Sequence, residues 1–572
     1  MTVAAPELYP HQWSWDAAFV AAGIAHLSIP RACVELESLL AGQWRTGMIP
    51  HIVFSAEPDA PPYFPGPEWW RAHELAPAAP PGVLTSGICQ PPVHAIGLAQ
   101  ILRLSGAGSD RAPGSDRRAG SERGGGADRA AGADRAAGSE RGGGAERGGG
   151  AERGGGAERD LAVAFARRIW PALYAWHRWL VTARRHAGTG LIAIVHSWES
   201  GLDNSPRWDA PYAAVPTGPL PPYARRDIGV VDDESQRPSD LEYNRYLWLV
   251  EELKHARYDD TAIAETSSFR VGDVLFTAIL ALACDVLADL ADELAACPDG
   301  SPGEAPVRPG AASVRPGAES VCPGAESVAD LRRWAGELRD AVAGTIDPVT
   351  GLARDYDIRT AHWIGTPTRD TPPDPVAGSS APAPAGAEPS GALARDALSG
   401  RDAPPGYDAL PGREALSGRD ARLEQGAGAA VTRGASGAGP GAPDTLAGFA
   451  PLLCGGLPAA AEQRMLAVFG GPDWCGHPEL VVPAPPSTSM RSPALDRRRY
   501  WRGPLWPVAI WLYGWALRRR SLTARADALR DAGLKLVSDG NFAEYYEPVS
   551  GEPLGSADQS WTAAVTLDWL SR

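Results

Sequence analysis

Lysine is almost missing from this chain of 572 residues: Lys254 and Lys535 are the only two, and arginine supplies the rest of the positive charge. Beside an excess of Ala, Gly and Pro, that is a mark of GC-rich coding rather than of a functional surface. Acidic residues outnumber basic ones, and the formal net charge is −15. This argues against a nucleic-acid partner, which requires a concentrated basic face. Cysteine is sparse and unpaired in pattern. Cys33, Cys89, Cys284, Cys297, Cys322, Cys454 and Cys475 stand singly, an odd number without a CxxC, and read as reduced thiols of a cytoplasmic protein. No apolar run is expected to reach membrane-spanning length, and the opening MTVAAPELYPHQW has no signal-peptide core. The absences predict a soluble cytoplasmic protein with no membrane partner and leave its oligomeric state open.

Glycine and proline are plentiful, 65 and 54 residues, and concentrate in three repetitive stretches. About 106–158 cycles through GADRAA and SERGGGAERGGGAERGGG; about 298–328 repeats VRPGAAS, VRPGAES and VCPGAES; about 372–443 runs through ALARDALSGRDAPPGYDALPGREALSGRDA. With few large apolar groups, burial cannot offset the cost of ordering them. They are expected to be disordered insertions in a single domain spanning 1–572.

The remainder is helical in pattern, an all-α fold class. Apolar residues recur at three- and four-residue spacing near 15–27, 29–42, 91–104, 160–185, 239–257, 271–295, 329–344, 457–469, 504–520, 521–537 and 558–571. Ser28 before Ile29-Pro30, and Ser239 after Pro238, are plausible helix starts. Alternating strand patterns are scarce. Eleven helices with long loops suit a ring of paired helices, nearly six pairs, whose loops at one end can build a deep pocket.

Those loops hold the unusual residues. They are YPHQWSWD (9–16), HSWESGLDNSPRWD (196–209), YWRGPLWP (500–507) and FAEYYEP (542–548) followed by DQSW (558–561). Twenty tryptophans, many in polar loops, suit a sugar, whose C–H faces stack on indole while its hydroxyls bond to carboxylates and amides. Any single Trp is more simply read as packing; four such loops together favour a sugar site. Glycosidic cleavage needs two carboxyl groups flanking the bond, one to protonate the leaving oxygen and one to activate water or attack. Asp203 and Glu544, each in an aromatic turn-forming loop, are the candidates, although a loop Asp is more often a turn or cap residue. His11 and His196 stand alone beside aromatics, without an HExxH or a His/Cys cluster, and are expected to be hydrogen-bonded structural residues. The GGG runs lack the Lys-Ser/Thr of a phosphate loop, and no GxSxG elbow is present.

These motifs, with QPP after Cys89, resemble glycoside hydrolase family 63, and more narrowly its bacterial mannosylglycerate/glucosylglycerate hydrolase branch, over nearly all of the chain outside the repeats. The resemblance implies an inverting hydrolase on an (α/α)6 barrel, with no cofactor or metal. It implies Asp203 as general acid and Glu544 as general base. Tyr9, Trp13, Trp15, Asp16, Gln90, Gly201, Trp501 and Trp506 would surround the sugar ring. Arg237, Tyr243, Tyr500 and Gln559 would hold the carboxylate of glycerate, a planar guanidinium with phenol donors being suited to that group. On residue pattern alone Arg237 is equally well a surface ion pair and Tyr243 helix packing. Two other readings stay open: an α-glucosidase acting on trehalose or short α-glucans, and an inactive sugar-binding homologue. One departure stands out. YPHQWSWD begins nine residues from Met1, where the resemblance has a preceding helix, so a missing first helix or a start further upstream is expected.

Overall fold

The computed structural model describes residues 1–56, 61–106, 151–229, 233–296, 324–364 and 444–572, with the backbone alone for 151–155. All of these fall in one compact unit. Most of the three repetitive stretches, with Cys297 and Cys322, lies outside the described residues. At two of their edges the expected boundary is corrected: 151–158 belong to a helix, and so do 325–328. A helix started by a strong apolar segment extends cheaply into neighbouring sequence, because propagation costs far less than nucleation.

Among the described residues, eleven helices of eleven residues or more carry the fold. They are α1 (Ser14–Ile24), α2 (Ile29–Leu40), α3 (His94–Leu104), α4 (Ala151–Ala183), α5 (Asp240–His255) and α6 (Val274–Ala296). They continue as α7 (Ala325–Ala343), α8 (Ala459–Phe469), α9 (Pro507–Arg519), α10 (Thr523–Leu536) and α11 (Ser560–Leu570). The starts have local causes. The Ser28 side chain accepts from the Arg31 amide at the head of α2, with Pro30 in its first turn. Ser239 and Glu242 close a capping box on α5.

Neighbour contacts close a circuit. Helix α1 packs on α3, α3 on α6, α6 on the short helix Pro451–Cys454, that helix on α9, α9 on α11, and α11 back on α1. Outside it, α2 lies on α1 and α3, α4 on α3 and α6, α7 on α6, and α10 on α9 and α11. The circuit helices are apolar nearly all round: ten of the eleven residues of α1 are buried. The clearest case is α6. By length and composition it is apolar enough to cross a membrane, which corrects the expectation that no run would reach that length. Yet 89% of that stretch is buried inside the protein, so it is read as a core helix wrapped on every side.

Strands among the described residues are two or three residues long. They serve as clasps at loop bases. β1 (Gln12–Trp13) pairs with β2 (Ile52–Val53). β3 (Ile192–Ile194), β4 (Val271–Asp273), β5 (Tyr356–Asp357) and β6 (His362–Trp363) form an antiparallel sheet. β7 (Tyr545–Tyr546) pairs with β8 (Pro553–Leu554).

One buried carboxylate ties the circuit shut. Asp568 on α11 accepts from Gln100 Nε2 of α3 at 2.8 Å and from Trp511 Nε1 of α9 at 2.7 Å. It also takes His26, just past α1, at 3.1 Å and the Arg572 Nε at 2.8 Å. Burial alone would raise its pKa, but these donors outweigh burial and hold it at about 2. A depressed carboxyl contributes stability at neutral pH that is lost as pH falls from the ordinary carboxylate range towards 2. Asp568→Ala removes the acceptor shared by these groups and by Arg103 Nη2 at 3.4 Å and should cost about 3–5 kcal/mol, seen as a lower urea midpoint at pH 7. An unchanged midpoint would show that the circuit closes without this cluster.

Candidate active site

A cavity of about 340 Å³ opens among the loops that precede α1, α3, α9 and α11, the 196–238 segment and the first turns of α5, lined by residues from both ends of the sequence. That volume suits a small ligand. Tyr9, Trp13, Trp15, Asp16, Gln90, Gly201, Asp203, Arg237, Tyr243, Tyr500, Glu544 and Gln559 all line it. Trp501 and Trp506 do not. Their rings stack on each other at 3.6 Å between centroids, and Trp506 stacks on Tyr545 at 4.6 Å. They form a wall behind the cavity.

The β1–β2 clasp delivers Trp13, Trp15 and Asp16 into the head of α1, where Gln90 Oε1 accepts from the Trp15 amide at 3.2 Å. Burial pushes the Asp16 carboxyl well up, with Glu544 and Asp203 adding to it.

Asp203 sits on a loop that is braced throughout. Glu199, fully buried, accepts from the Val195 amide at 2.8 Å and Arg184 Nη1 at 3.0 Å. Trp208 Nε1 donates to Leu202 O at 2.9 Å, and Asn204 Oδ1 accepts from the Trp501 amide at 2.9 Å. Four residues beyond Asp203, Arg207 bonds to Asp273 and Asp355, each at 3.0 Å. Asp273 also caps α6 by accepting from the Leu275 and Phe276 amides. The Asp203 loop is therefore bolted to the core helix. Gly201 adopts φ +72°, and a methyl there would come within 2.6 Å of the Trp15 ring, so the turn needs glycine twice over.

Glu544 is fully buried at the base of the β7–β8 clasp. Tyr9 Oη donates to its Oε1 at 3.0 Å and the Ser556 amide to its Oε2 at 3.0 Å, while Arg237 Nη1 stands 3.8 Å from Oε2. Gly555 closes over it at φ +74°, where a methyl would lie 2.4 Å from Oε2. Tyr500, at φ +37°, occupies a left-handed conformation that costs a non-glycine residue energy. Its hydroxyl reaches that of Tyr9 at 3.3 Å, and its ring faces the Arg237 guanidinium at 4.6 Å.

Electrostatically the two carboxyls differ. Burial pushes Asp203 to about 8; Arg237 opposes this and Glu544 adds to it. Burial also raises Glu544, but there Arg237, the Ser556 amide, Tyr9 and Tyr500 all favour the ionised form. Both histidines singled out from sequence are hydrogen-bonded. His196 Nε2 meets Tyr246 O at 3.1 Å and its Nδ1 accepts from the Trp198 amide, while His11 Nδ1 accepts from the Ser55 amide. Burial lowers them to about 3 and about 4. Among the described residues no group of His, Cys, Asp and Glu is placed to hold a metal.

The cavity also contains residues that sequence reasoning missed: Tyr63, Phe64, Trp198, Arg226, Asp227, Tyr246 and Trp561. Trp198 and Trp561 were inside quoted motifs. Tyr246 lies three residues after Tyr243 on one face of α5, a spacing that could have been read. Tyr63 and Phe64, in a proline-rich loop, and Asp227, in YARRD, gave no local signal.

The family model for the mannosylglycerate hydrolase MGH1-like glycoside hydrolase domain matches residues 9–118, 153–316 and 415–562. The chain belongs to this family of glycoside hydrolases. It is 40% identical to the glucosylglycerate hydrolase of Mycolicibacterium hassiacum, across 100% of this chain and 94% of that one. It is 30% identical to mannosylglycerate hydrolase MGH1 of Selaginella moellendorffii, across 100% and 82%, and to the mannosylglycerate hydrolase of Thermus thermophilus, across 99% and 96%. Among solved structures it is similar to a family 63 mannosylglycerate hydrolase from Thermus thermophilus in complex with Tris and D-glycerate, with TM-score 0.65 and 28% identity over 100% of this chain and 96% of that one. The same relative with glucose gives TM-score 0.63. Membership fits the mostly helical architecture and gives the two carboxyls of the cavity a reaction class.

The turn at Gly201 supplies a test. Gly201→Ala forces a methyl against Trp15 and strains φ, and should cost about 1–3 kcal/mol. A thermal midpoint equal to wild type would mean that the loop yields without loss.

Proposed function

We propose that this glycoside hydrolase cleaves glucosylglycerate, mannosylglycerate or both, releasing the sugar and glycerate with inversion. One observation carries the assignment of roles: two carboxyls line the same cavity, both raised by burial, but Glu544 alone is met by hydrogen-bond donors that favour its ionised form. Asp203, pushed to about 8, holds its proton at neutral pH and donates it to the glycosidic oxygen. Glu544, with Tyr9 and the Ser556 amide donating to it and Arg237 beside it, has contacts that favour its carboxylate and takes the proton of the attacking water in this scheme. Environments that set paired carboxyls apart in this way assign the acid and the base. Trp13, Trp15, Asp16 and Gln90 surround the sugar in this scheme, and Trp501 and Trp506 act from behind by holding the Asn204 and Tyr545 segments.

The aglycone side is supported by Arg237, whose buried Nη1 has no hydrogen-bond acceptor and stands 3.8 Å from Glu544. Buried donors without partners are costly unless a ligand supplies the acceptor, and a carboxylate suits a guanidinium fork. Tyr243, Tyr500 and Gln559 stand round the same cavity. The relatives at 40% and 30% identity, which act on glucosylglycerate and mannosylglycerate by name, support the substrate class. The circuit of helices supports an (α/α)6 barrel, built as a single catalytic domain over 1–572. The unpaired cysteine pattern supports a cytoplasmic location.

Purified protein offered glucosylglycerate, mannosylglycerate, trehalose and maltose should release sugar from the glycerate compounds, with the β-anomer first by NMR. Asp203→Ala and Glu544→Ala should each lose turnover by at least roughly a thousandfold with the fold retained. Cleavage of trehalose or maltose instead would discard glycerate, and normal turnover by either variant would overturn its role.

The pH profile of kcat/KM should be bell-shaped. Activity needs Asp203 protonated and Glu544 ionised, so it falls as pH rises through about 8 and falls again on the acid side as Glu544 takes up a proton. A rate still rising well above that pH would contradict the acid assignment.

A further inference from the structure

Arg237 is held along two edges and open on a third. Nη2 donates to the Tyr9 hydroxyl at 3.0 Å, Nε faces Asp227 Oδ2 at 3.5 Å, and Nη1 has no hydrogen-bond acceptor. Asp227 is in turn gripped by Arg225 in a two-point fork, Nε to Oδ1 at 3.0 Å and Nη2 to Oδ2 at 2.6 Å. The Arg225 guanidinium lies 4.5 Å from the centre of the Tyr243 ring, and its Nη1 donates to Asp240 Oδ1 in the first turn of α5 at 3.0 Å. Arg237, Asp227, Arg225 and Tyr243 thus form one chain of contacts beside the cavity. We propose that Asp227 is a positioning residue for the carboxylate half of the substrate, locking the Arg237 fork and, through Arg225, the Tyr243 ring into one frame. This rests on the glycerate reading above.

The physical argument turns on what Arg237 would do otherwise. Its alternative anionic partner is Glu544, 3.8 Å away. Asp227 gives Nε a counter-charge on the far edge and keeps the fork from swinging onto Glu544, so Nη1 stays available to an incoming carboxylate. Asp227 can do so because it stays charged: burial opposes this, but Arg225 and Arg237 hold its carboxyl below the usual range. The sign of the effect is diagnostic. Simple Coulomb attraction says that deleting a carboxylate beside an anion site tightens anion binding, whereas loss of positioning weakens it.

The test measures inhibition by D-glycerate and by glucose, with KM and kcat for glucosylglycerate, in the full chain and its variants. For Asp227→Asn the glycerate inhibition constant should rise roughly tenfold and KM with it, while kcat changes less and glucose inhibition stays at the wild-type value. Asp227→Glu should recover part of the loss, and Arg225→Met should weaken glycerate in the same direction. Unchanged or tighter glycerate binding in Asp227→Asn overturns the proposal. So does equal weakening of glucose and glycerate, which would make Asp227 a general support of the loop. Failure of the underlying reading looks different. Wild type indifferent to glycerate, with Arg237→Ala leaving that response unmoved, would remove the glycerate site and the positioning role with it.

Discussion

A buried carboxylate must find donors on several elements at once, and this fold is organised round that constraint. Asp568 collects Gln100, Trp511, His26 and Arg572, so that α3, α9, α11 and the end of α1 share one polar centre in an otherwise apolar seam. Packing alone would allow these helices to slide, since apolar contacts are not directional. The hydrogen bonds fix their register. The segments carrying Trp15, Gln90, Tyr500 and Glu544 run into α1, α3, α9 and α11, so that side of the cavity inherits the register.

The same rule is applied differently at the cavity. Glu199, Asp273 and Asp568 are saturated with donors and act as fasteners. Glu544 is met by donors but stays next to open space, and Asp203 faces the cavity with less opposition to its burial. Satisfaction of charge is graded across the molecule, complete where the carboxyl is structural and partial where it lines the cavity. Arg237 follows the same logic with the sign reversed: it is tied to Tyr9 and faces Asp227, yet keeps Nη1 without an acceptor beside the cavity.

Much of this was legible in the sequence, for reasons that differ by residue. All eleven long helices announced themselves by apolar spacing, because even those wrapped on every side carry runs too long for strands. The nature of α6 was not legible: periodicity cannot tell a helix buried all round from one in a membrane, and only its neighbours decide. Asp203 and Glu544 came from motif resemblance, since local sequence could not choose two carboxyls among 69. Asp227 was invisible because its significance lies in a fork with Arg225 and an edge of Arg237, a relation between loops that no spacing encodes. Trp501 and Trp506 show the converse: the motif pointed to the right place, yet their rings form the wall behind the cavity.

Closure of the circuit by α1 and α11 has a consequence for how the protein is made. His26 and Asp568 lie 542 positions apart, and Tyr9 and Glu544 are 535 apart. At a translation rate of about 5–20 residues per second, α1 leaves the ribosome roughly half a minute to two minutes before its partner exists. Nearly every side chain of that helix is destined for burial, so for that interval the nascent chain displays a sticky, unpartnered surface. A ribosome that stalls before residue 544 leaves a product with neither the seam nor Glu544.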